Sequence, residues 1–267
     1  MPYVPTRDII TYYEEAGRGE PLVLIRGLGS DLQAWALQVP ALAKHFRVIT
    51  YDNRGAGRTS APDKPYSIAG MADDVAALLD ELSIPKASVL GYSMGGMVAQ
   101  EFALKYPNKM EKLILLGTSA GLDGYSKTII QNMINVRRSN MSREQIALSQ
   151  APFLYSADLL GDAQRFDRAI QATVDNPYLQ QDHAFIRQAQ AILAFDATSR
   201  VSGINASTLV ITNSQDILVP PRNGEALSKA ISGSRLVTLE GAHAGVTELP
   251  NEHNAAFLEF LGAAVTA

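Results

Sequence analysis

Residues 91–96 read GYSMGG and lie between an apolar run at 87–90 and a largely apolar run at 97–104. This order predicts a strand, a sharp turn at Ser93 and a helix. Gly91 and Gly95 flank the serine, and so tight a turn leaves little room for side chains at either position. The free N–H groups at the start of the helix can stabilise negative charge beside the hydroxyl. The stretch therefore predicts a nucleophile elbow.

Apolar runs on both sides of this stretch alternate with helical patterns. Strands are predicted at 9–14, 21–25, 46–51, 87–92, 112–116, 208–212 and 235–239. Helices are predicted at 32–43, 68–82, 94–106, 222–231 and 252–265. Because strands and helices alternate, we expect an α/β fold whose parallel strands are joined by right-handed crossovers.

Strand signals are absent between residues 122 and 200. Helical segments follow one another there, divided by Pro152, Gly161 and the Asn-Pro pair at 176–177. Both ends of this stretch connect to the carboxyl edge of the predicted sheet. We therefore expect a core domain formed by residues 1–121 and 201–267, with a helical cap at 122–200 inserted over that edge.

Composition excludes several classes of protein. With 46% hydrophobic and 19% charged residues, the chain can bury a large core, which argues against disorder. The formal net charge is −4 and no basic run occurs, so nucleic acid is not expected as a partner. An N-terminal apolar leader is absent and every apolar run is too short to cross a bilayer, so we expect a cytoplasmic protein without membrane contact. Its oligomeric state stays open, a homo-oligomer included.

Neither a metal nor an organic cofactor is expected. The chain has no cysteine, which excludes disulfides, thiolate metal sites and a cysteine nucleophile. No two of its four histidines have the spacing of metal ligands. Residues 55–60 read GAGRTS, which lacks the third glycine and the following helix of a dinucleotide-binding turn.

A serine hydroxyl needs a base to take its proton and an acid to orient that base. His243 follows the last predicted strand, at the sheet edge where active-site groups of open α/β sheets gather. The chain order serine, acid, histidine points to Asp216, which follows the strand at 208–212. Asp123 is the alternative acid and Asp196 a further one. Because a protonated imidazole cannot act as a base, the rate should fall at acidic pH.

The negative oxygen of a tetrahedral intermediate needs two converging N–H donors. The N–H of Met94, directly after Ser93, is one candidate. The second is the N–H of Leu28, in the GLG loop at 27–29 that follows the strand at 21–25. Leu28 and Met94 are therefore the predicted oxyanion hole.

Taken in order, four motifs resemble the α/β-hydrolase family along nearly the whole chain. They are the GLG loop at 27–29, DNRGAG at 52–57, the elbow at 91–96 and GAH at 241–243. The resemblance implies a mostly parallel eight-stranded sheet flanked by helices, with a helical cap. GYSMGG looks most like the branch of small esterases, enol-lactone hydrolases and cofactor-free haloperoxidase-like proteins.

This resemblance implies a serine esterase or lactonase that cleaves a small carboxylic ester or lactone through an acyl-enzyme intermediate. Ser93, Asp216 and His243 would form its catalytic triad. Cleavage of a carbon–carbon bond in a β-diketone-like substrate stays open, as do acyl transfer and perhydrolysis on the same triad. A ligand receptor with residual hydrolysis is the alternative from a different class.

One residue departs from the family pattern. Members usually carry a histidine before the oxyanion glycine, and this chain has Arg26. Arginine stays charged and cannot act as a base, so a structural role is expected, in which it bonds carboxylate or carbonyl groups behind the loop. The alternative is that Arg26 reaches the pocket and favours an anionic substrate group. Trp35, shortly after the loop, is a further candidate for substrate contact.

Overall fold

The computed structural model describes residues 2–263, and within them eight strands form one sheet. The strands are β1 (Tyr3–Thr6), β2 (Ile9–Ala16), β3 (Pro21–Ile25), β4 (Arg47–Tyr51), β5 (Ala87–Tyr92), β6 (Met110–Leu116), β7 (Ser207–Asn213) and β8 (Arg235–Leu239). Their order across the sheet is β1-β2-β4-β3-β5-β6-β7-β8. The pairs β1–β2 and β2–β4 are antiparallel, and all other pairs are parallel. The predicted α/β fold with a mostly parallel eight-stranded sheet is therefore confirmed.

Helices cover both faces of this sheet. They are α1 (Val39–Leu42), α2 (Ile68–Glu81), α3 (Met94–Lys105), α4 (Gly124–Arg137), α5 (Arg143–Leu154), α6 (Ala157–Gly161), α7 (Ala163–Val174), α8 (Asp182–Ala194), α9 (Pro221–Ala230), α10 (Gly245–Glu248) and α11 (Pro250–Leu261). Short 3-10 turns occupy Leu32–Trp35, Pro107–Lys109 and Val201–Gly203.

The central strands are buried on both faces, which explains why they read as continuous apolar runs. Successive side chains of β3 point to opposite faces. Val23 belongs to the hydrophobic cluster that contains residues of α2 and α3. Leu22 and Leu24 belong to the cluster on the other face, with Phe257 of α11. All six residues of β5 are buried, so the elbow that follows is anchored in a fully buried strand.

The predicted helix over 32–43 is wrong. The structure has a 3-10 turn at Leu32–Trp35 and then the four-residue α1. Pro40 has no N–H to donate to the carbonyl of Ala36, which removes one bond of a continuous helix. The side chain of Gln38 is fully buried and donates to the carbonyl of Val246 at 2.8 Å, which holds the chain in its bent path.

Two further differences concern the ends of the chain. β1 is absent from the sequence-based prediction: it contains Pro5 and pairs with β2 alone, as an edge strand can. The last helix ends at Leu261, where Gly262 adopts a left-handed φ of 85°. Its predicted end at Val265 lies outside the described residues.

The five helices α4–α8 connect β6 to β7. The two ends of this segment meet, since Gly121 and Asp196 form an isolated bridge and the N–H of Ala197 donates to the carbonyl of Ala120 at 2.7 Å. Pro152 lies inside α5 and does not divide two helices. The carbonyl that Pro152 leaves without a helical donor belongs to Leu148, which is exposed to solvent. The division into a core and a cap at 122–200 stays a prediction.

Across residues 2–263, no helix is both long enough and apolar enough to span a membrane. The cytoplasmic location stays a prediction.

Candidate active site

Ser93 lies in a strained turn between β5 and α3. Its backbone has φ 56° and ψ −121°, a combination that costs a non-glycine residue energy and that clusters at functional sites. Its N–H donates to the carbonyl of Leu116 at 2.9 Å, which fixes the turn to β6. A Cβ on Gly91 would lie 2.3 Å from the carbonyl oxygen of Gly95. The two glycines are therefore required by the close approach of the backbone on either side of the serine.

Three predicted side chains meet at the carboxyl ends of the strands. His243 Nε2 lies 3.0 Å from Ser93 Oγ, and His243 Nδ1 lies 2.7 Å from Asp216 Oδ2. The other carboxylate oxygen of Asp216 accepts the N–H of Val219 at 2.8 Å. Both Asp216 and His243 are buried, at 2% and 3% exposure. The imidazole thus has the serine hydroxyl on one nitrogen and a carboxylate on the other, which is the geometry that a general base needs.

The loop that carries His243 is held by two residues, Tyr92 and Asn213, that were not predicted from the sequence. Tyr92, next to the serine, donates its hydroxyl to the carbonyl of His243 at 2.8 Å. Burial raises the pKa of Tyr92, so this hydroxyl remains a neutral donor. Asn213, the last residue of β7, donates to the carbonyl of Ala242 at 2.8 Å. A polar residue at the carboxyl end of a parallel strand was the signal that could have marked Asn213.

The alternative acids serve other purposes. Asp123 caps the start of α4 and forms a salt bridge with Arg222 at 2.7 Å. Asp196 accepts a backbone N–H of its own turn at 2.9 Å. Neither contacts the imidazole, so Asp216 is the carboxylate next to His243.

The two predicted oxyanion donors lie on the wall of one cavity, together with Ser93. Among residues 2–263, no backbone or side-chain acceptor takes the N–H of Leu28 or that of Met94. A Cβ on Gly27 would lie 3.0 Å from the Cβ of Ser93, so the loop is packed directly against the serine. Both N–H groups are therefore free within the described residues and belong to the wall that carries Ser93, and their role as an oxyanion hole remains a prediction.

Arg26 does not make the bonds expected of a structural arginine. Its guanidinium lies over the rings of Trp35 and Tyr92, 4.7 Å from each centroid. It is 7% exposed, and its buried Nε and Nη1 atoms have no hydrogen-bond partner. Burial lowers the pKa of Arg26, but the ordinary value is so high that the group stays charged at neutral pH. The prediction that Arg26 bonds carboxylate or carbonyl groups behind the loop is therefore wrong.

Trp35 is fully buried and packs edge-on against Tyr92, with ring centroids 6.4 Å apart. The cavity wall includes its neighbours Ala34 and Ala36 but not its indole. The structure therefore does not support direct contact between Trp35 and a substrate. Its contact is with Arg26, which does line the cavity.

The cavity above Ser93 has a volume of about 820 Å³, and helices α4–α8 form its roof. Its wall there combines apolar side chains, among them Ile130, Met133, Leu154, Leu159, Phe185 and Ile192, with polar ones that include Arg137, Arg165 and Arg168. Such a space suits a small, partly apolar molecule. In the part of the chain that the structure describes, no group of three or more histidine, aspartate or glutamate side chains could hold a metal ion.

Comparison with known proteins identifies the family. The model of the alpha/beta hydrolase fold matches residues 20–248. The chain belongs to the α/β-hydrolase family. This confirms the resemblance that the four motifs indicated, and it makes the protein a hydrolase.

Relatives of this α/β hydrolase align over nearly its full length. It is 31% identical to the RutD protein of Azorhizobium caulinodans, which is named as a carbamate hydrolase, with 98% of each chain covered. Its fold matches the enol-lactonase of Burkholderia xenovorans with a TM-score of 0.90 and 30% identity, over 98% of this chain and 100% of that one. A thermophilic esterase of Thermogutta terrifontis matches with a TM-score of 0.84 and 28% identity, over 98% and 97% of the two chains.

Proposed function

We propose that this α/β hydrolase cleaves a small carboxylic ester or lactone through an acyl-enzyme intermediate. The observation that carries the proposal is the hydrogen-bonded row from Ser93 through His243 to Asp216. The resemblance in fold to an enol-lactonase and an esterase agrees with it.

Acylation begins when Ser93 Oγ attacks the substrate carbonyl. His243 Nε2 takes the hydroxyl proton as the bond forms, and the Asp216 carboxylate stabilises the imidazolium through Nδ1–H. The N–H groups of Leu28 and Met94 stabilise the negative oxygen of the intermediate, each contributing about 3 kcal/mol to transition-state stability. The intermediate collapses as His243 returns the proton to the leaving alkoxide.

Deacylation repeats the same steps with water. His243 takes a proton from the water that attacks the acyl carbonyl, and the resulting intermediate releases Ser93 and the carboxylic acid. For a lactone, the released alcohol and acid belong to one molecule. Apart from the substrate and this water, the steps use only groups of the chain.

Carbamate hydrolysis is the second candidate, because relatives at 31% identity and 98% coverage are named for it. A carbamate presents the same carbonyl to Ser93, with nitrogen on one side. The arrangement of Ser93, His243 and Asp216 suits either reaction. An ester and a carbamate of otherwise equal structure are therefore needed to decide between them.

The test is a substrate panel on wild type and Ser93→Ala, with matched esters, lactones, carbamates and β-diketones. We expect steady turnover of an ester or lactone, its loss by at least about 10³-fold in Ser93→Ala, and fluorophosphonate labelling that maps to Ser93. A higher kcat/KM on the carbamate of a matched pair would favour the second candidate. Preference for β-diketones, transfer of the acyl group to an added alcohol or peroxide, or tight binding with negligible turnover would each replace the proposal. Labelling at another residue would contradict it.

A further inference from the structure

The wall of the catalytic cavity contains a buried cation without a counter-ion. Arg26 is only 7% exposed, and within residues 2–263 no carboxylate forms a salt bridge with it. Placing a charge in so enclosed a position is costly unless it is paired. The rings of Trp35 and Tyr92 offset part of that cost, because a guanidinium over an aromatic face is attracted to it.

Both aromatic rings lie near the guanidinium carbon without offering its N–H groups a hydrogen-bond acceptor. The Nε and Nη1 atoms of Arg26 are enclosed without partners. Nη2 is not among the fully enclosed atoms and has no partner within the described residues. Since Arg26 lines the cavity, Nη2 is the donor that an occupant of the cavity can reach.

This cation lies near the catalytic histidine, because the Tyr92 ring under the guanidinium is 5.1 Å from the imidazole of His243, measured between ring centroids. Its backbone is close to the serine, since a Cβ on the next residue, Gly27, would lie 3.0 Å from the Cβ of Ser93.

The same wall contains three acidic residues, and each already has a partner. Asp31 accepts from Asn176 at 2.7 Å, Asp175 accepts from Gln171 at 2.8 Å, and the carboxylate of Glu248 is bonded to Ser156.

We propose that Arg26 binds a free carboxylate of the substrate, so that the enzyme acts on esters or lactones that carry a second, anionic carboxyl group. The reaction in this inference rests on the proposed function, whereas the carboxylate-binding site does not. The carboxylate accepts a charge-assisted hydrogen bond from Nη2, in a place where water does not screen the charge. Arg26 is thus a substrate-binding residue that sets specificity.

The kinetic test compares p-nitrophenyl hydrogen adipate with p-nitrophenyl hexanoate, which have equal chain length and differ by the free carboxylate. We expect wild type to favour the adipate monoester. Arg26→Met should lower kcat/KM on the adipate monoester by about 10- to 100-fold, the range of a hydrogen bond to a charged group, and on hexanoate by less than about 3-fold. Arg26→Lys should restore part of the preference, since it returns the charge.

A control variant removes the same charge elsewhere. Arg235→Met eliminates an exposed arginine that pairs with Glu259 on the surface, and it should leave the ratio of the two rates unchanged. An unchanged ratio in Arg26→Met, or a wild type without preference for the anionic ester, would overturn the inference. Equal losses on both substrates with a shifted pH profile would also overturn it, by showing that Arg26 acts on the triad.

A binding measurement separates this inference from the proposed function. Calorimetric titration with adipate is made on Ser93→Ala and on Ser93→Ala with Arg26→Met, neither of which needs to turn over a substrate. We expect adipate to bind the first variant and to bind the second at least about 10-fold more weakly. Equal binding, or none to either variant, would refute the carboxylate site even if ester hydrolysis is established. Arginine-dependent binding would uphold it even if hydrolysis fails.

Discussion

His243 has Asp216 as its carboxylate partner, although Asp123 follows the preceding strand of the sheet. The two aspartates therefore give a matched pair of variants. We predict that Asp216→Asn lowers kcat on the best ester of the panel by about 10³- to 10⁴-fold, because the amide cannot stabilise the imidazolium and favours the wrong tautomer of His243. Steady-state kinetics at pH 8 measure the effect.

Asp123→Asn is the control for this prediction. It changes the same functional group at the start of α4, away from the imidazole, and asparagine is an equally good helix cap. We expect kcat within about 2-fold of wild type, as is usual for a change outside the reacting groups. A comparable loss in both variants would mean that the carboxylate next to His243 has no special role.

The positions of the three side chains of this row could be predicted from sequence, whereas the surroundings of Arg26 could not. Ser93, Asp216 and His243 each follow a strand whose pattern is clear, and parallel strands bring their carboxyl ends to one edge. Arg26 contacts Tyr92, which is distant in sequence and lies on a different strand. Only the packing of β3 beside β5 decides that aromatic rings, and not carboxylates, lie against it.

Helix α3 approaches β3 so closely that one added methyl group should force the two elements apart. A Cβ on Gly95 would lie 2.1 Å from the carbonyl oxygen of Ile25, and both partners are backbone held in regular structure. We predict that Gly95→Ala lowers the free energy of unfolding by about 3 kcal/mol or more, because nothing flexible can yield. Urea denaturation followed by circular dichroism measures the difference.

Gly124→Ala provides the comparison. Gly124 also lies in the first turn of a helix, but a Cβ there would have no neighbour within 4 Å. We expect its free energy of unfolding to stay within about 1 kcal/mol of wild type. Equal stability of Gly95→Ala and Gly124→Ala would contradict the close approach of α3 to β3.

The link between α4 and α9 should depend on pH. Burial alone would raise the pKa of Asp123, but the N–H of Ser126 and the guanidinium of Arg222 outweigh it and lower the pKa. The folded chain then binds fewer protons at this site than the unfolded chain. The stabilisation is therefore present above the unfolded value of 3.8 and is lost as the pH falls through the folded value.

We predict that Asp123→Asn has a lower Tm than wild type at pH 7, by about 1–3 °C for a partly exposed pair. The difference should hold at pH 5 and shrink as the pH falls below 3.8, because the wild-type carboxyl then becomes protonated as the pH passes through its lowered pKa. Scanning calorimetry over a series of pH values from 7 downwards measures it. A difference independent of pH would show that the carboxylate charge is not what stabilises this link.

Elements with strong apolar periodicity were predictable, and those decided by distant contacts were not. The predicted helix at 68–82 corresponds to α2, because one apolar stripe and the Ser67 cap define it locally. The path of residues 32–43 depends on Gln38 donating to Val246, which is remote in sequence. β1 exists because β2 offers it an edge, and its own pattern is interrupted by proline.

Helices α4–α8 do not form a single packed unit. Ile130 of α4 and Phe185 of α8 belong to the same hydrophobic cluster as the strands of the sheet. Ala151 of α5 and Ile170 of α7 belong to a small cluster of their own. The segment predicted as a cap therefore has an inner pair of helices that continues the main core and an outer pair with little buried apolar surface.

This difference predicts unequal local stability. Elements with few buried apolar contacts open at lower free energy than the core, so backbone amides of α5 and α7 should exchange with deuterium before those of α4 and α8. The cavity wall includes Leu154 at the end of α5 and Arg165 on α7, so such opening would admit substrate to Ser93. Hydrogen exchange followed by mass spectrometry compares the four helices within one sample.

Hydrogen exchange in a variant tests whether this local opening depends on packing against the main core. Phe185→Ala removes a fully buried ring from α8 and should lower global stability by about 3–5 kcal/mol, which would speed exchange in α4 and α8 while α5 and α7 change little. We expect the outer pair to exchange through a local route that does not require the main core to unfold. Equal protection of all four helices in wild type would mean that they form one cooperative unit with the sheet, and substrate would then have to enter without their opening.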